Sequence, residues 1–132
     1  MTRVVVDASV LAAVTFGEPD ADAWARRIEG AAVFAPSLLR YEMQSVAWKK
    51  CRLQPERARE IVTALDMALQ PGRGITWFDP HPADVVLVAN ATGLTAYDAS
   101  YLCVAGMLDA DLVTGDTVLA GALDPFGGRP GA

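Results

Sequence analysis

Short apolar runs alternate along the chain with longer segments in which apolar and polar residues recur at helical spacing. The valines that end at Val6 are typical of a buried strand, and the segment from Ala8 to Val14 has the pattern of a short helix. Prolines, glycines and capping residues mark where most other segments begin and end. The pattern predicts strands at 3–6, 33–35, 75–78 and 111–114, and helices at 8–14, 20–29, 36–51, 55–70, 83–91, 97–108 and 117–123.

Strands that alternate with helices predict a three-layer α/β/α domain with a mainly parallel central sheet of four or five strands. No internal repeat or linker divides the chain, so we expect one domain over residues 1–124. The glycine- and proline-rich end, residues 125–132, is predicted to be a flexible tail. In open sheets of this kind the functional crevice lies outside the carboxyl ends of the strands.

Composition narrows the class of protein. A chain of 132 residues with 52% hydrophobic content is long enough to bury one core. Cys51 and Cys103 are far apart and lack metal-ligand spacing, so we expect reduced thiols in a cytoplasmic protein. No segment approaches the roughly 18 uninterrupted apolar residues of a membrane span, so no membrane association is expected.

The net charge of −5 argues against a protein that coats nucleic acid by bulk electrostatics. Between Arg40 and Arg59, however, six basic residues stand against two acidic ones, so one face of an acidic protein is predicted to be basic. A solvated helix exterior would give the same run of charges. The candidate RNA-binding residues in this region are Arg40, Lys49, Lys50 and Arg52.

Three aspartates fall where the predicted sheet would bring them to one edge. Asp7 follows the first strand, Asp116 follows the last, and Asp98 opens the helix that leads to the last strand. Each also has an ordinary structural interpretation, because Asp is a preferred N-cap residue. The segment from Thr95 to Asp98 likewise fits a capping box.

Glu42 lies on the apolar stripe of its predicted helix. Its neighbours three and four positions away are Leu38, Leu39, Ser45 and Val46. A buried carboxylate must be paired, hydrogen-bonded, bound to a metal or neutralised by a raised pKa. A salt bridge to a distant Arg is the structural alternative to a functional site.

If Glu42 faces the strand ends, four carboxylates converge there. Such a cluster repels itself and is best explained by a hard divalent cation, and the absence of nearby His and Cys favours Mg²⁺ or Mn²⁺. A cation held in this way lowers the pKa of a bound water and stabilises charge on a phosphoryl oxygen. The predicted chemistry is phosphodiester hydrolysis.

Four segments carry these acids in order: VVDASVLAA, LLRYEMQSVAW, TAYDASYLCVA and LVTGD. Together, over about residues 3–123, they resemble the PIN-domain ribonucleases, and most closely the VapC-type toxins of toxin–antitoxin systems. The resemblance implies a metal-dependent endoribonuclease that is inhibited by an antitoxin protein and commonly forms a homodimer. The positions that match the family's acids are Asp7, Glu42, Asp98 and Asp116, and Ser9 and Thr114 match small residues that hold the carboxylates or a metal-bound water.

The chain departs from this family after Asp116. Relatives usually continue through a longer helix into a last strand, whereas this chain passes into its glycine-rich tail. Residues 117–119 also lack the further acid that some relatives carry, so one metal ion is expected rather than two.

Other interpretations stay open from the sequence alone. A haloacid-dehalogenase-type phosphatase would need an acid where Ser9 stands, and phosphoaspartate receivers use a strand-end lysine that this chain lacks. A binding module that kept the fold and lost the reaction is a different class.

The remaining polar and aromatic candidates have structural interpretations. His81 is expected to be a loop residue, and Asp79 to cap the next helix. Trp24 and Trp48 are expected in the core or against a partner, and the apolar surfaces of helices within 8–29 and 55–70 would suit an antitoxin or a second copy.

Overall fold

The computed structural model describes residues 1–122 and the backbone of residues 129–130. It contains the helices and strands that the hydrophobic pattern predicts, with bounds that differ by one or two residues at most ends. In chain order they are β1 (Arg3–Val6), α1 (Ala8–Phe16), α2 (Ala21–Ile28), β2 (Ala32–Ala35), α3 (Leu38–Leu53), α4 (Ala58–Ala68), β3 (Ile75–Trp77), α5 (Pro82–Thr92), α6 (Ala96–Leu108), β4 (Asp111–Val113), α7 (Thr117–Gly121) and β5 (Arg129–Pro130).

The strands form one parallel sheet in the order β3-β2-β1-β4-β5. The predicted α/β class and parallel sheet are confirmed. Four strands come from the predicted segments, and the two-residue β5, which lies in the segment predicted to be a flexible tail, pairs with β4 as a fifth. Residues 123–128 and 131–132, which include the predicted domain end at 124 and most of the predicted tail, lie outside the described residues.

β1 lies in the middle of the sheet, which explains its composition. Strands covered on both faces are continuous apolar runs, and Val4, Val5 and Val6 are all fully buried. Because parallel crossovers are right-handed, the helices between β1 and β3 cover one face and those between β3 and β4 cover the other. α6 packs on β1, β2 and β4, and its Tyr101 is one of the largest fully buried side chains.

The segment 55–70, predicted as one helix, has two parts. A 3₁₀ turn over Pro55–Arg57 precedes α4. No helix in the described part of the chain is long and apolar enough to cross a membrane.

The prediction that Asp79 caps the following helix is wrong. Its carboxylate instead accepts hydrogen bonds from the backbone N–H of Ser37 at 2.7 Å and from the Ser37 hydroxyl at 2.8 and 3.0 Å. Asp79 therefore ties the segment after β3 to the start of α3, and the N-cap residue of α5 is His81.

Candidate active site

Asp7 is the only buried charged side chain among residues 1–122. It follows β1 and caps α1, where its Oδ1 accepts hydrogen bonds from the Val10 N–H at 3.2 Å and the Ser9 hydroxyl at 2.6 Å. Its Oδ2 accepts a hydrogen bond from the Thr114 hydroxyl. These three donors meet the requirement that a buried carboxylate be hydrogen-bonded, and they fix its orientation.

The turn after β4 is hydrogen-bonded to the Asp7 carboxylate and to the Ser9 side chain. The Gly115 N–H donates to Ser9 Oγ, and the Asp116 N–H donates to Thr114 Oγ1, both at 2.9 Å. A Cβ at Gly115 would lie 3.3 Å from Ser9 Oγ and 3.5 Å from a ring carbon of Trp24, so the turn passes close to α1. Asp116 then caps α7 through Oδ1, which accepts from the N–H groups of Val118 and Leu119.

Glu42 is half-buried on α3, and its Oε1 accepts a hydrogen bond from the Tyr101 hydroxyl of α6. Burial raises the pKa of the Glu42 carboxyl, the Tyr101 hydrogen bond opposes that rise, and the charges of Asp7 and Asp98 add to it. No ion pair reaches Glu42 within residues 1–122, so the salt bridge that the sequence left open is not formed there.

Asp98 lies in the first turn of α6, where the Thr95 hydroxyl accepts a hydrogen bond from its N–H at 3.1 Å. Its carboxylate has no hydrogen-bond partner among the described residues. Burial raises the pKa of Asp98, and the charges of Asp116 and Asp7 raise it further. The structure therefore places Asp98 within electrostatic range of Asp7, Glu42 and Asp116, and Glu42 within range of Asp7.

The four carboxylates do not form a closed ligand cage. In residues 1–122, no three His, Cys, Asp or Glu side chains are close enough to hold one metal ion. The donor set nevertheless fits a hard cation, since every candidate ligand is an oxygen. The carboxylate of Asp98 is unpartnered in the described structure, and one oxygen each of Glu42 and Asp116 is not used in a hydrogen bond there.

The candidate RNA-binding residues separate into two pairs. The guanidinium of Arg40 lies 4.1 Å from the centre of the Trp77 ring, and Lys50 forms an ion pair with Glu18 at 3.2 Å, so both cations already have partners. Lys49 and Arg52 are exposed and form no ion pair among the described residues.

Two tryptophans also differ in their surroundings. Trp24 is partly buried against the core and donates from Nε1 to Asp20 Oδ2 at 2.8 Å. Trp48 is 57% exposed, so the expectation that it belongs to the core is wrong, and its place against a partner stays a prediction.

Tyr101 is the site residue that sequence reasoning missed. Its ring is fully buried, and only its hydroxyl reaches the acidic cluster. The available signal was a hydroxyl on an otherwise apolar turn of α6, one turn after Asp98. Nothing local indicated its partner, because Glu42 lies 59 residues earlier in the chain.

A Tyr101→Phe variant tests the contact with Glu42. We expect it to lower the free energy of unfolding by about 1.5–3 kcal/mol at neutral pH, because a hydrogen bond to an ionised group is removed. The bond lowers the pKa of Glu42, so the difference should shrink as Glu42 is protonated on acidification. Urea unfolding of both proteins across pH measures this difference, and a difference that is independent of pH would contradict the assignment.

The fold and the acidic residues together define a class of protein. It is a small parallel α/β domain with an acidic site at the carboxyl ends of its central strands. A family model for the PIN domain matches residues 4–122, and the chain belongs to the PIN domain family. PIN domains are generally nucleases.

A solved structure, PAE2754 from Pyrobaculum aerophilum, is similar to this chain with 30% sequence identity and a TM-score of 0.74. The similarity covers 92% of this chain and 84% of that one. No curated protein matches the chain significantly.

Proposed function

We propose that this PIN domain is a metal-dependent endoribonuclease. The observation that carries the proposal is the set of four carboxylates, Asp7, Glu42, Asp98 and Asp116. Asp98 interacts electrostatically with the other three, Glu42 also interacts with Asp7, and none of the four has a cationic partner among residues 1–122. Unneutralised acids kept together in this way favour a divalent cation, Mg²⁺ or Mn²⁺.

The four acids hold the cation, and three neighbouring side chains position two of those acids. Asp98, Glu42 and Asp116 offer the cation carboxylate oxygens that accept no hydrogen bond from the described residues, and Asp7 adds a fourth carboxylate at the end of β1. When bound, the cation supplies an activated water and stabilises negative charge on the phosphate. Ser9 and Thr114 hold Asp7 in place by donating to its two oxygens. Tyr101 holds Glu42 in the same way.

Cleavage of a mixed, structured RNA pool tests the proposal. The purified protein is incubated with Mg²⁺, with Mn²⁺ and with chelator, and the products are separated by size. We expect internal cuts with a divalent metal and none with chelator. Cleavage that persists in chelator contradicts the metal requirement, and a folded protein that cuts with neither metal contradicts the nuclease.

A PIN-fold binding module is the second candidate function. One observation favours it: no three acids among the described residues are close enough to hold an ion without rearrangement. Calorimetric titration with Mn²⁺ separates the two, because a nuclease site must bind the ion whereas a docking site for a partner's arginine need not.

The toxin role is proposed on the resemblance to VapC-type toxins and on one surface. An apolar groove of about 480 Å³ lies between α1, α2, β2 and α4, lined by side chains that include Val14, Ile28 and Met67. A groove of this kind suits an amphipathic segment of an antitoxin. We also propose a cytoplasmic location and a homodimer.

Induced expression tests the toxin role. Growth arrest by the parent but not by an Asp98→Asn variant, relieved by co-expression of a protein from an adjacent reading frame, is the expected result. Growth that is equally unaffected by both proteins, with cleavage intact in vitro, would leave a nuclease that is not a toxin. Sedimentation of the purified chain tests the dimer separately.

A further inference from the structure

One face of α3 is exposed and aromatic along most of its length. Tyr41 is 65% exposed and Trp48 is 57% exposed, and Ser45 and Arg52 are also exposed. These four residues, called the α3 stripe below, follow one another at intervals of four, three and four positions, so they share one face of the helix. A helix face of this composition requires an explanation, because large aromatic rings are usually buried.

The α3 stripe is also positively charged. The Arg52 guanidinium carbon lies 4.9 Å from the centre of the Trp48 ring, and the neighbouring Lys49 is exposed without an ion pair in the described structure. Glu42 is the only acidic residue of α3, and its carboxylate belongs to the acidic cluster. The stripe therefore combines aromatic rings with two exposed cations that form no ion pair in the described structure, on a chain whose net charge is −5.

We propose that the α3 stripe binds single-stranded RNA and leads it to the acidic site. Bases stack on Tyr41 and Trp48, and Lys49 and Arg52 contact phosphates. Stacking on aromatic rings beside basic side chains is how proteins hold single strands without reading their sequence. This inference rests on the proposed function in taking RNA as the ligand.

The position of the stripe supports a path towards the site. Tyr41 immediately precedes Glu42 in α3, so the stripe begins at the level of the acidic cluster along the helix axis, about 100° around the helix from Glu42. Trp48 follows Tyr41 by two helical turns, a rise of about 10.5 Å along the axis. A strand that stacks on both rings therefore extends away from the site along α3, with Lys49 and Arg52 at its far end.

Charge favours RNA over a second copy of the chain on this face. In a symmetric contact both copies bring the same Lys49 and Arg52, so the shared face would hold four cations and no acidic residue from either stripe. Like charges placed together in an interface are unfavourable, whereas a polyanion neutralises all of them.

Equilibrium binding of a fluorescently labelled, unstructured RNA oligonucleotide to the full-length chain tests the proposal. It is measured in chelator at low salt, so that no cleavage is needed. Without a metal ion, the acidic residues repel RNA to the same extent in every variant. The ratio of a variant's dissociation constant to the parent's therefore measures the contribution of the substituted residue. The variants are Trp48→Ala, Tyr41→Ala and a Lys49→Gln/Arg52→Gln double change. The controls are Met107→Ala, an exposed apolar residue on α6, and Arg59→Gln, an exposed cation on α4.

We expect each aromatic change to weaken binding by about tenfold, since base stacking on one ring typically contributes a factor of about 5 to 150. The double change should lower the slope of log K against log salt by about 1.4, because each phosphate that a cation neutralises on a single strand contributes about 0.7. Both controls should bind within about twofold of the parent. Circular dichroism confirms that each variant is folded.

Two results would overturn the proposal. The first is Trp48→Ala protein that binds RNA as tightly as the parent. The second is a Trp48→Ala change that converts a dimer to a monomer in sedimentation with RNA affinity unchanged, which would make the stripe a subunit contact. A third combination separates the two proposals. If the mixed RNA pool is not cleaved with either metal but RNA binding still depends on Trp48, the proposed nuclease activity is contradicted and RNA binding by the α3 stripe is supported.

Discussion

An Asp98→Asn variant is expected to lose metal-dependent RNA cleavage while it folds as the parent does. The Asp98 carboxylate is unpartnered in the described structure, so the substitution removes a candidate metal ligand without breaking a side-chain hydrogen bond there. The loss of rate should be at least about 100-fold, because even outer-shell partners of a metal contribute 10–100-fold. Initial cleavage rates with Mn²⁺ measure it.

The same variant should be more stable than the parent in chelator at neutral pH. Burial and the charges of Asp116 and Asp7 raise the pKa of Asp98 in the folded chain. The folded chain therefore binds this proton more tightly than the unfolded chain, and the stability it contributes is lost as pH rises through the raised pKa. Removing the charge should raise Tm at about pH 7, and the gain should vanish below about pH 3.5, where the carboxyl is protonated in both states.

An Asp66→Asn variant is the matched control for Asp98. Asp66 is an exposed aspartate on α4, outside the acidic cluster, and its replacement by the amide should leave both cleavage and Tm unchanged. If Asp98→Asn cut RNA as fast as the parent, Asp98 would not be a ligand of the reacting centre.

The second large effect is expected at Asp7, where two substitutions should separate structure from chemistry. Asp7→Ala removes the α1 cap and leaves the donors of Val10, Ser9 and Thr114 without their acceptor. We expect a decrease of about 2–4 kcal/mol in the free energy of unfolding, from the cap and the unsatisfied buried donors.

Asp7→Asn should stay folded with nearly the parent's stability. The amide oxygen still accepts from Val10 and Ser9, and the amide nitrogen can donate to a reoriented Thr114 hydroxyl. Cleavage should nevertheless be abolished, because the negative charge at the end of β1 is gone. Denaturant unfolding and cleavage assays of both variants provide the comparison, and Asp7→Asn protein with normal cleavage would show that the Asp7 charge is not needed.

Local sequence patterns were sufficient for the fold. The valine run identified the central strand, because a strand between two layers of helices has no polar face. The positions of Asp7 and Asp116 followed from the same pattern, since a carboxylate within a few residues of the end of a buried strand lies near the carboxyl end of the sheet. Both residues also cap helices as expected, so the structural and the functional interpretations describe the same side chains.

Contacts between elements that are distant in the chain could not be predicted from the sequence. The Tyr101 hydroxyl and the Asp79 carboxylate were missed or misassigned because their partners, Glu42 and Ser37, lie 59 and 42 positions away. A single chain shows which residues are polar and gives no direct sign of what they face.

The charged residues of α3 show the same limit. Their number could be read from the sequence. Which of them contact another side chain could not be predicted, because that depends on how the helix is rotated and on which elements pack beside it. Arg40 contacts Trp77 and Lys50 pairs with Glu18, each on a different element. The exposure of Trp48 could not be predicted for the same reason. An aromatic residue on an amphipathic helix is more often turned inward, and only the rotation of the helix shows that this one is not.

The close passage of Gly115 over α1 has a consequence for motion. Hydrogen bonds join the turn at residues 114–116 to the first turn of α1 at Asp7 and Ser9, and a side chain at Gly115 would come within 3.3 Å of Ser9 Oγ. Local opening in proteins proceeds through cooperative units of this kind. We therefore expect the turn that carries Asp116 and the start of α1 that carries Asp7 to open together, while Glu42 and Asp98, carried on α3 and α6, move with their own helices.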